Sequence, residues 1–98
     1  MDRDSIIATL RKHQQELHRQ GVSHVALFGS FARDEANRSS DIDILIDLDP
    51  DVSLSVFDYV GVKDYIAGLF DMPVDVVNRR GLKSHLRTHA LADVVDAF

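Results

Sequence analysis

The sequence lacks cysteine and tryptophan and has only two prolines among its 98 residues. Without cysteine the chain cannot form disulfides, zinc–thiolate sites or iron–sulfur clusters, and it has no thiol nucleophile. Uninterrupted apolar runs are only a few residues long, which argues against a membrane-spanning helix. The first residues, MDRDSII, carry two aspartates where a signal peptide carries positive charge, so we expect a cytoplasmic protein without a leader.

Positive charge is also scarce in this chain. Eleven Lys and Arg residues stand against sixteen Asp and Glu residues, for a net charge of −5, which argues against a general nucleic-acid coat protein. Five aspartates fall between Asp41 and Asp51. Bases and histidines gather instead near the carboxyl end, at Arg79, Arg80, Lys83, His85, Arg87 and His89. An acidic centre beside a basic tail favours metal or phosphate chemistry over a nucleic-acid groove.

The spacing of apolar residues predicts one α/β domain over residues 1–98, with a small mixed sheet of about three strands flanked by helices. The predicted strands cover 22–28, 41–48 and 74–77. The predicted helices run from Asp4 or Ser5 to Gly21, over 30–36 with Ser30 as the cap, from Ser53 or Ser55 to Phe70, and over 82–95. The third of these helices is expected to bury Val56, Val60, Ile66 and Leu69.

Three aspartates lie on two of the predicted strands. Alternation along a strand puts Asp41 and Asp43 on one face, while the isoleucines between them point to the core. Two adjacent carboxylates repel each other unless a proton or cation lies between them, and Mg²⁺ suits oxygen ligands. If the strand that carries Asp75 is a neighbour, Asp75 completes a three-carboxylate site able to hold two metals for in-line phosphoryl transfer.

A glycine and a serine mark the point where the first strand gives way to a helix. Backbone N–H groups and the positive helix end face any anion there, Gly29 allows a phosphate to approach closely, and the Ser30 hydroxyl can donate to it. Arg33 lies three residues later on the same helical face. It could contact phosphate, or brace the loop by pairing with an acid such as Asp41, and the sequence leaves both roles open.

Together these segments resemble the signature of the DNA polymerase β-type nucleotidyltransferase superfamily. The signature comprises Gly29-Ser30-Phe31-Ala32-Arg33 and Ser40-Asp41-Ile42-Asp43-Ile44-Leu45, and Val74-Asp75-Val76-Val77 resembles the strand of the third carboxylate. The chain is most similar to the minimal nucleotidyltransferases, or MNT proteins, of bacterial and archaeal HEPN/MNT toxin–antitoxin pairs. Asp34 departs from the pattern, since many members have glycine after the arginine.

The resemblance implies a polymerase β palm-like fold and a Mg²⁺-dependent enzyme. It also implies transfer of AMP from ATP to a tyrosine hydroxyl of a HEPN RNase toxin, which is thereby silenced in a hetero-oligomer without direct nucleic-acid contact. The implied nucleotide-binding residues are Gly29, Ser30, Arg33 and Ser40. The implied catalytic and metal-binding residues are Asp41, Asp43 and Asp75, the last as a ligand or general base.

Two other functions stay open from the sequence. One is an antitoxin of the same fold that neutralises its toxin by occlusion, with the carboxylates unused. The other is a transferase for a small molecule such as an aminoglycoside, although so short a chain leaves little room for an acceptor-binding domain. The short length predicts that another chain supplies specificity, with the basic tail and Phe98 as candidate contacts. His85 and His89, spaced i, i+4, have no evident third metal ligand, so we expect a polar helix face or a partner contact there.

Overall fold

A mixed four-stranded sheet organises the part of the chain that the computed structural model describes, residues 2–37, 39–81 and 92–98. Its strands are β1 (Val22–Phe28), β2 (Ile42–Leu48), β3 (Val74–Asn78) and β4 (Val95–Asp96). Their order across the sheet is β3-β2-β1-β4. β1 runs antiparallel to β2 and β4, whereas β2 and β3 are parallel. The predicted fold class is confirmed, and β4 adds a strand to the three expected.

The carboxyl-terminal segment differs from its prediction. The helix expected over 82–95 lies outside the described residues for most of its length, but its predicted end is wrong, because Val95 pairs with Leu27 in the sheet. Phe98, expected as an exposed contact, is half-buried, and its ring packs edge-on against His18 at 5.3 Å between centroids. The Arg11 Nε donates to the Ala97 carbonyl at 2.6 Å, which fastens this segment to the first helix.

The helices are shorter than predicted. They are α1 (Arg3–Lys12), α2 (Gln14–Arg19), α3 (Gly29–Ala32) and α4 (Val56–Ala67), and a short 3-10 helix, Arg79–Gly81, follows β3. The first predicted helix is interrupted at His13, and Asp2, rather than Asp4 or Ser5, caps it by accepting from the Ser5 N–H at 2.8 Å. α3 begins at Gly29 without a side-chain cap from Ser30. No helix in the described ranges is both long enough and apolar enough to cross a membrane.

The core lies between the helices and one face of the sheet. The alternating isoleucines of β2 are fully buried there, as predicted, together with α1, α2 and α4 side chains: Ile6, Leu10, Leu17, Ile42, Ile44, Ile46, Val62 and Ile66. The predicted orientation of α4 is wrong in part, since Val56 and Val60 are 78% and 48% exposed. α4 has apolar residues on both of its faces, so periodicity alone does not say which face packs on the sheet.

Candidate active site

The amino-terminal ends of β2 and β3 bring two of the predicted aspartates together. Asp43 and Asp75 are direct partners in the parallel pair, and opposite residues in a sheet project from the same face. Asp41 lies two residues before Asp43, immediately outside β2. Asp41 and Asp75 are exposed, whereas Asp43 is half-buried. The strand that carries Asp75 is therefore a direct neighbour of the strand that carries Asp43, which is the condition for the predicted three-carboxylate site.

Asp43, one of the three aspartates, has a pKa that is raised by its surroundings. Burial raises the pKa of Asp43, the negative charges of Asp75 and Asp41 raise it further, and the Arg33 guanidinium acts in the opposite direction. A half-buried carboxylate beside two others favours binding of a proton or a cation. Their hard oxygen donors suit Mg²⁺. Yet within the described ranges no group of three or more His, Cys, Asp or Glu side chains is arranged to hold a metal ion as it stands.

Gly29 makes room for the Asp43 carboxylate. It lies at the junction of β1 and α3 with a φ of +76°, a conformation that favours glycine. A Cβ atom at this position would overlap Asp43 Oδ2 and would lie 3.1 Å from Asp43 Cγ. Phe28, the preceding residue, is the β1 partner of Asp43. The glycine predicted from sequence for phosphate approach thus also shapes the carboxylate site.

Arg33 pairs with two acids, neither of which is Asp41, the example of a bracing partner that the sequence offered. Its Nε donates to Glu35 Oε2 at 3.1 Å, and its Nη1 lies 3.8 Å from Asp93 Oδ2. Asp93 belongs to the segment that leads into β4, so Arg33 bridges the turn after α3 and the carboxyl-terminal end. Glu35 was recognisable in the sequence as a close neighbour, but a pairing with Asp93 across 60 positions had no sequence signal.

The other predicted site residues lie in turns or strand ends. Ser30 is half-buried in the first turn of α3. Ser40 belongs to a turn before β2, where its hydroxyl accepts from the Asn37 N–H at 2.9 Å. Arg79, the first residue after β3, forms an ion pair with Asp47 of β2 at 2.9 Å. Four residues of the predicted basic tail fall outside the described residues: Lys83, His85, Arg87 and His89.

Asp34 occupies the position that glycine usually takes after a helix. Its φ is +60°. The Asp34 N–H donates to the Phe31 carbonyl at 3.2 Å, and the Glu35 N–H donates to the Ser30 carbonyl at 2.8 Å. This pair of hydrogen bonds forms a Schellman motif, in which the residue at this position is left-handed. Aspartate in place of glycine at position 34 therefore adds a negative charge and also places a residue with a side chain in a left-handed backbone conformation.

Replacing Asp34 with glycine is expected to stabilise the fold by up to about 1 kcal/mol. A left-handed residue with a side chain costs roughly 1–2 kcal/mol, less for Asp, and the greater freedom of glycine in the unfolded chain offsets part of the gain. Urea unfolding measures the difference. Asp34→Ala, which removes the carboxylate but keeps a Cβ atom, should be less stable than Asp34→Gly. Equal stability of the two variants would assign the effect to charge instead.

Comparisons with known proteins agree on one family. A family model described as nucleotidyltransferase domain matches residues 7–96. The chain is 37% identical over 93 residues to the protein adenylyltransferase MntA of Thermococcus cleftensis, covering 94% of this chain and 92% of that protein. It superposes with a TM-score of 0.78 and 32% identity on a solved chain assigned as a minimal nucleotidyltransferase, covering 97% of this chain and 95% of that one.

A further solved structure has a similar fold at lower identity. It contains a tri-AMPylated HEPN toxin from Shewanella oneidensis in complex with its MNT antitoxin. The superposition has a TM-score of 0.64 and 19% identity, covering 93% of this chain and 70% of that one. At this identity the likeness concerns the fold alone.

Proposed function

This chain belongs to the nucleotidyltransferase domain family, and from that membership we propose that it is an antitoxin that transfers AMP from ATP to a tyrosine hydroxyl of a HEPN-type RNase toxin. The observation that carries the proposal is the registered pair Asp43 and Asp75, with Asp41 two residues upstream and Gly29 packed against Asp43. The similarity to a protein adenylyltransferase supports AMP as the transferred group.

The carboxylates suit a magnesium-dependent reaction. Asp41, Asp43 and Asp75 would hold Mg²⁺, which when bound stabilises negative charge on the transferred phosphoryl group. The donor chemistry and the raised pKa of Asp43, caused by burial and by its two acidic neighbours, both fit a cation at this place. The ATP phosphates would meet the backbone N–H groups of Gly29 and Ser30, where α3 begins beside the Asp43 carboxylate.

The proposed transfer is an in-line displacement. The tyrosine oxygen attacks the α-phosphorus of ATP, a new O–P bond forms, and the bond from the α-phosphorus to the bridging oxygen breaks, so that pyrophosphate leaves. Asp75 accepts the proton of the tyrosine hydroxyl as general base. Because Asp75 is exposed, it can pass that proton to solvent after each transfer.

Intact-mass spectrometry of the partner tests the proposal. The proposed partner, a HEPN-type toxin, is incubated with this protein, ATP and Mg²⁺, and we expect its mass to rise by one or more AMP units. The control is the double variant Asp41→Asn/Asp43→Asn, which should give no gain. If neither protein changes the mass and both still neutralise the toxin, the chain is a binding antitoxin instead.

A further inference from the structure

An uncovered apolar surface lies on α4 and on the loop before it. We call it the α4 patch, and its members are Val52, Val56, Phe57 and Val60, with exposed fractions of 42%, 78%, 88% and 48%. Within the described ranges no other large apolar side chains are as exposed. A contiguous exposed apolar patch on a soluble protein often marks an interaction site.

The orientation of α4 keeps this patch facing outward. On the opposite side of the helix, Val62 and Ile66 are fully buried against the sheet. The start of the helix is fixed by a capping box, in which Ser55 accepts from the Asp58 N–H at 3.1 Å and Asp58 accepts from the Ser55 N–H at 3.0 Å. Rotating α4 to bury the patch would therefore expose core side chains and break this cap.

The patch lies away from the carboxylates. α4 follows the carboxyl end of β2, whereas Asp43 and Asp75 stand near the amino-terminal ends of their strands. A groove of about 780 Å³ adjoins the patch, and Leu54, Phe57, Gly61 and Tyr65 contribute to its lining, which includes none of the three site aspartates. The groove is therefore separate from the three site aspartates.

The border of the patch is acidic. Asp51, Asp58 and Asp64 are all exposed beside it or in the lining of the groove. The nearby bases have partners within the chain: Arg19 pairs with Glu16 at 3.2 Å, and Lys63 lies over the Tyr59 ring at 5.6 Å. A second copy of this chain would bring the same acidic border and a net charge of −5, so like charges would oppose self-association.

We propose that the α4 patch docks a protein whose apolar contact residues are ringed by lysine and arginine, and that this protein is the acceptor in the proposed function, on which this inference rests. The partner buries Phe57 and its valine neighbours while its bases face the acidic border. Docking at this end of the sheet holds the partner without covering the carboxylates.

Calorimetric binding of the proposed HEPN-type partner tests the docking surface. The double variant Phe57→Ser/Val60→Ser should bind it at least about thirtyfold more weakly, the effect of losing a central apolar anchor. Phe57→Leu keeps an apolar side chain and should bind within about threefold of the original chain. Asp64→Lys should weaken binding and reduce the salt dependence of binding, whereas Asp4→Lys, in the first turn of α1 and outside the groove lining, should change neither.

The outcomes separate this inference from the proposed function. Partner binding unaffected by the Phe57/Val60 change, or no partner binding at all, overturns the docking surface. Sedimentation that shows self-association lost in the same variant would assign the patch to a second copy and also overturn it. A partner that binds through the patch but never gains AMP leaves the docking surface standing and removes the transferase. AMP transfer at saturating partner, with affinity lowered by the patch variant and by Asp64→Lys but not by Phe57→Leu or Asp4→Lys, supports both.

Discussion

An Asp43→Asn variant is expected to transfer AMP about a thousandfold more slowly than the original chain and to be more stable at neutral pH. Removing a group that stabilises transition-state charge typically costs a hundredfold to a thousandfold or more. Asp43 is the half-buried member of the three site aspartates and the register partner of Asp75. An amide in its place keeps the shape of the side chain but removes its charge.

The gain in stability follows from the direction of the Asp43 pKa. Burial and the carboxylates of Asp75 and Asp41 raise that pKa in the folded protein, so the folded state binds the proton more tightly than the unfolded chain. Folding stability from this group is greatest at low pH and falls as the pH rises from the ordinary value of 3.8 through the raised value. The stability advantage of the Asp43→Asn variant over the original chain should therefore be present at pH 7 and shrink as the pH falls through this window.

The pKa values of two helix-capping aspartates shift in the opposite direction from that of Asp43. Hydrogen bonds from the Ser5 backbone lower the pKa of Asp2, and those from Ser55 lower the pKa of Asp58. Their stabilising contributions are present at neutral pH and are lost as the pH falls through the lowered values. The Asp43→Asn variant and the original chain both contain Asp2 and Asp58, so these contributions cancel when the stabilities of the two proteins are compared.

Urea unfolding in EDTA over a range of pH, together with AMP transfer measured on the partner, checks the Asp43 prediction. Asp47→Asn is the matched control, since Asp47 is four residues further along the same face of β2 and pairs with Arg79. It should lose about 1 kcal/mol or less and keep transfer activity. An Asp43→Asn variant with normal transfer would remove this carboxylate from the catalytic group.

Local sequence patterns were sufficient to predict the strands in which β-branched or alternating apolar residues are dense. The bounds of β1 agree with the prediction, and those of β2 differ by one residue, because β-branched and alternating apolar residues favour a strand with one buried face. The family resemblance and the alternation along the strands predicted that Asp43 and Asp75 share a site. In the structure the two residues are direct partners in the parallel pair of β2 and β3.

Long-range packing decided the features that the sequence did not predict. Both Val56/Val60 and Val62/Ile66 have the i, i+4 spacing of a buried helical face, and only contact with the sheet selects the second pair. β4 is two residues long, and its pairing with β1 joins positions about 70 residues apart. The Arg33–Asp93 contact depends on that same docking of the carboxyl-terminal segment.

Gly29→Ala is expected to damage both folding and catalysis. Its φ of +76° costs an L side chain roughly 1–2 kcal/mol, and the new Cβ atom would meet the Asp43 carboxylate. The Asp43 carboxylate must then move away from Gly29 and out of its present position beside Asp75. A displacement of about 1 Å in a catalytic group can lower the rate about a hundredfold, so we expect a loss of that order in AMP transfer per folded molecule.

Gly21→Ala is the control that separates the two effects of Gly29→Ala, the loss of stability from backbone strain and the loss of AMP transfer from displacement of Asp43. Gly21 also has a positive φ, of +96°, but its Cβ would meet Leu54 and Val52 side-chain atoms at 3.2 Å, at the end of β1 opposite to the end that pairs with Asp43. It should lose a similar amount of stability in urea unfolding, yet keep AMP transfer at saturating partner and at a temperature where both variants are folded. If the two alanine variants lose transfer equally, backbone strain rather than the position of Asp43 explains the loss, and Gly29 has no special part in the site.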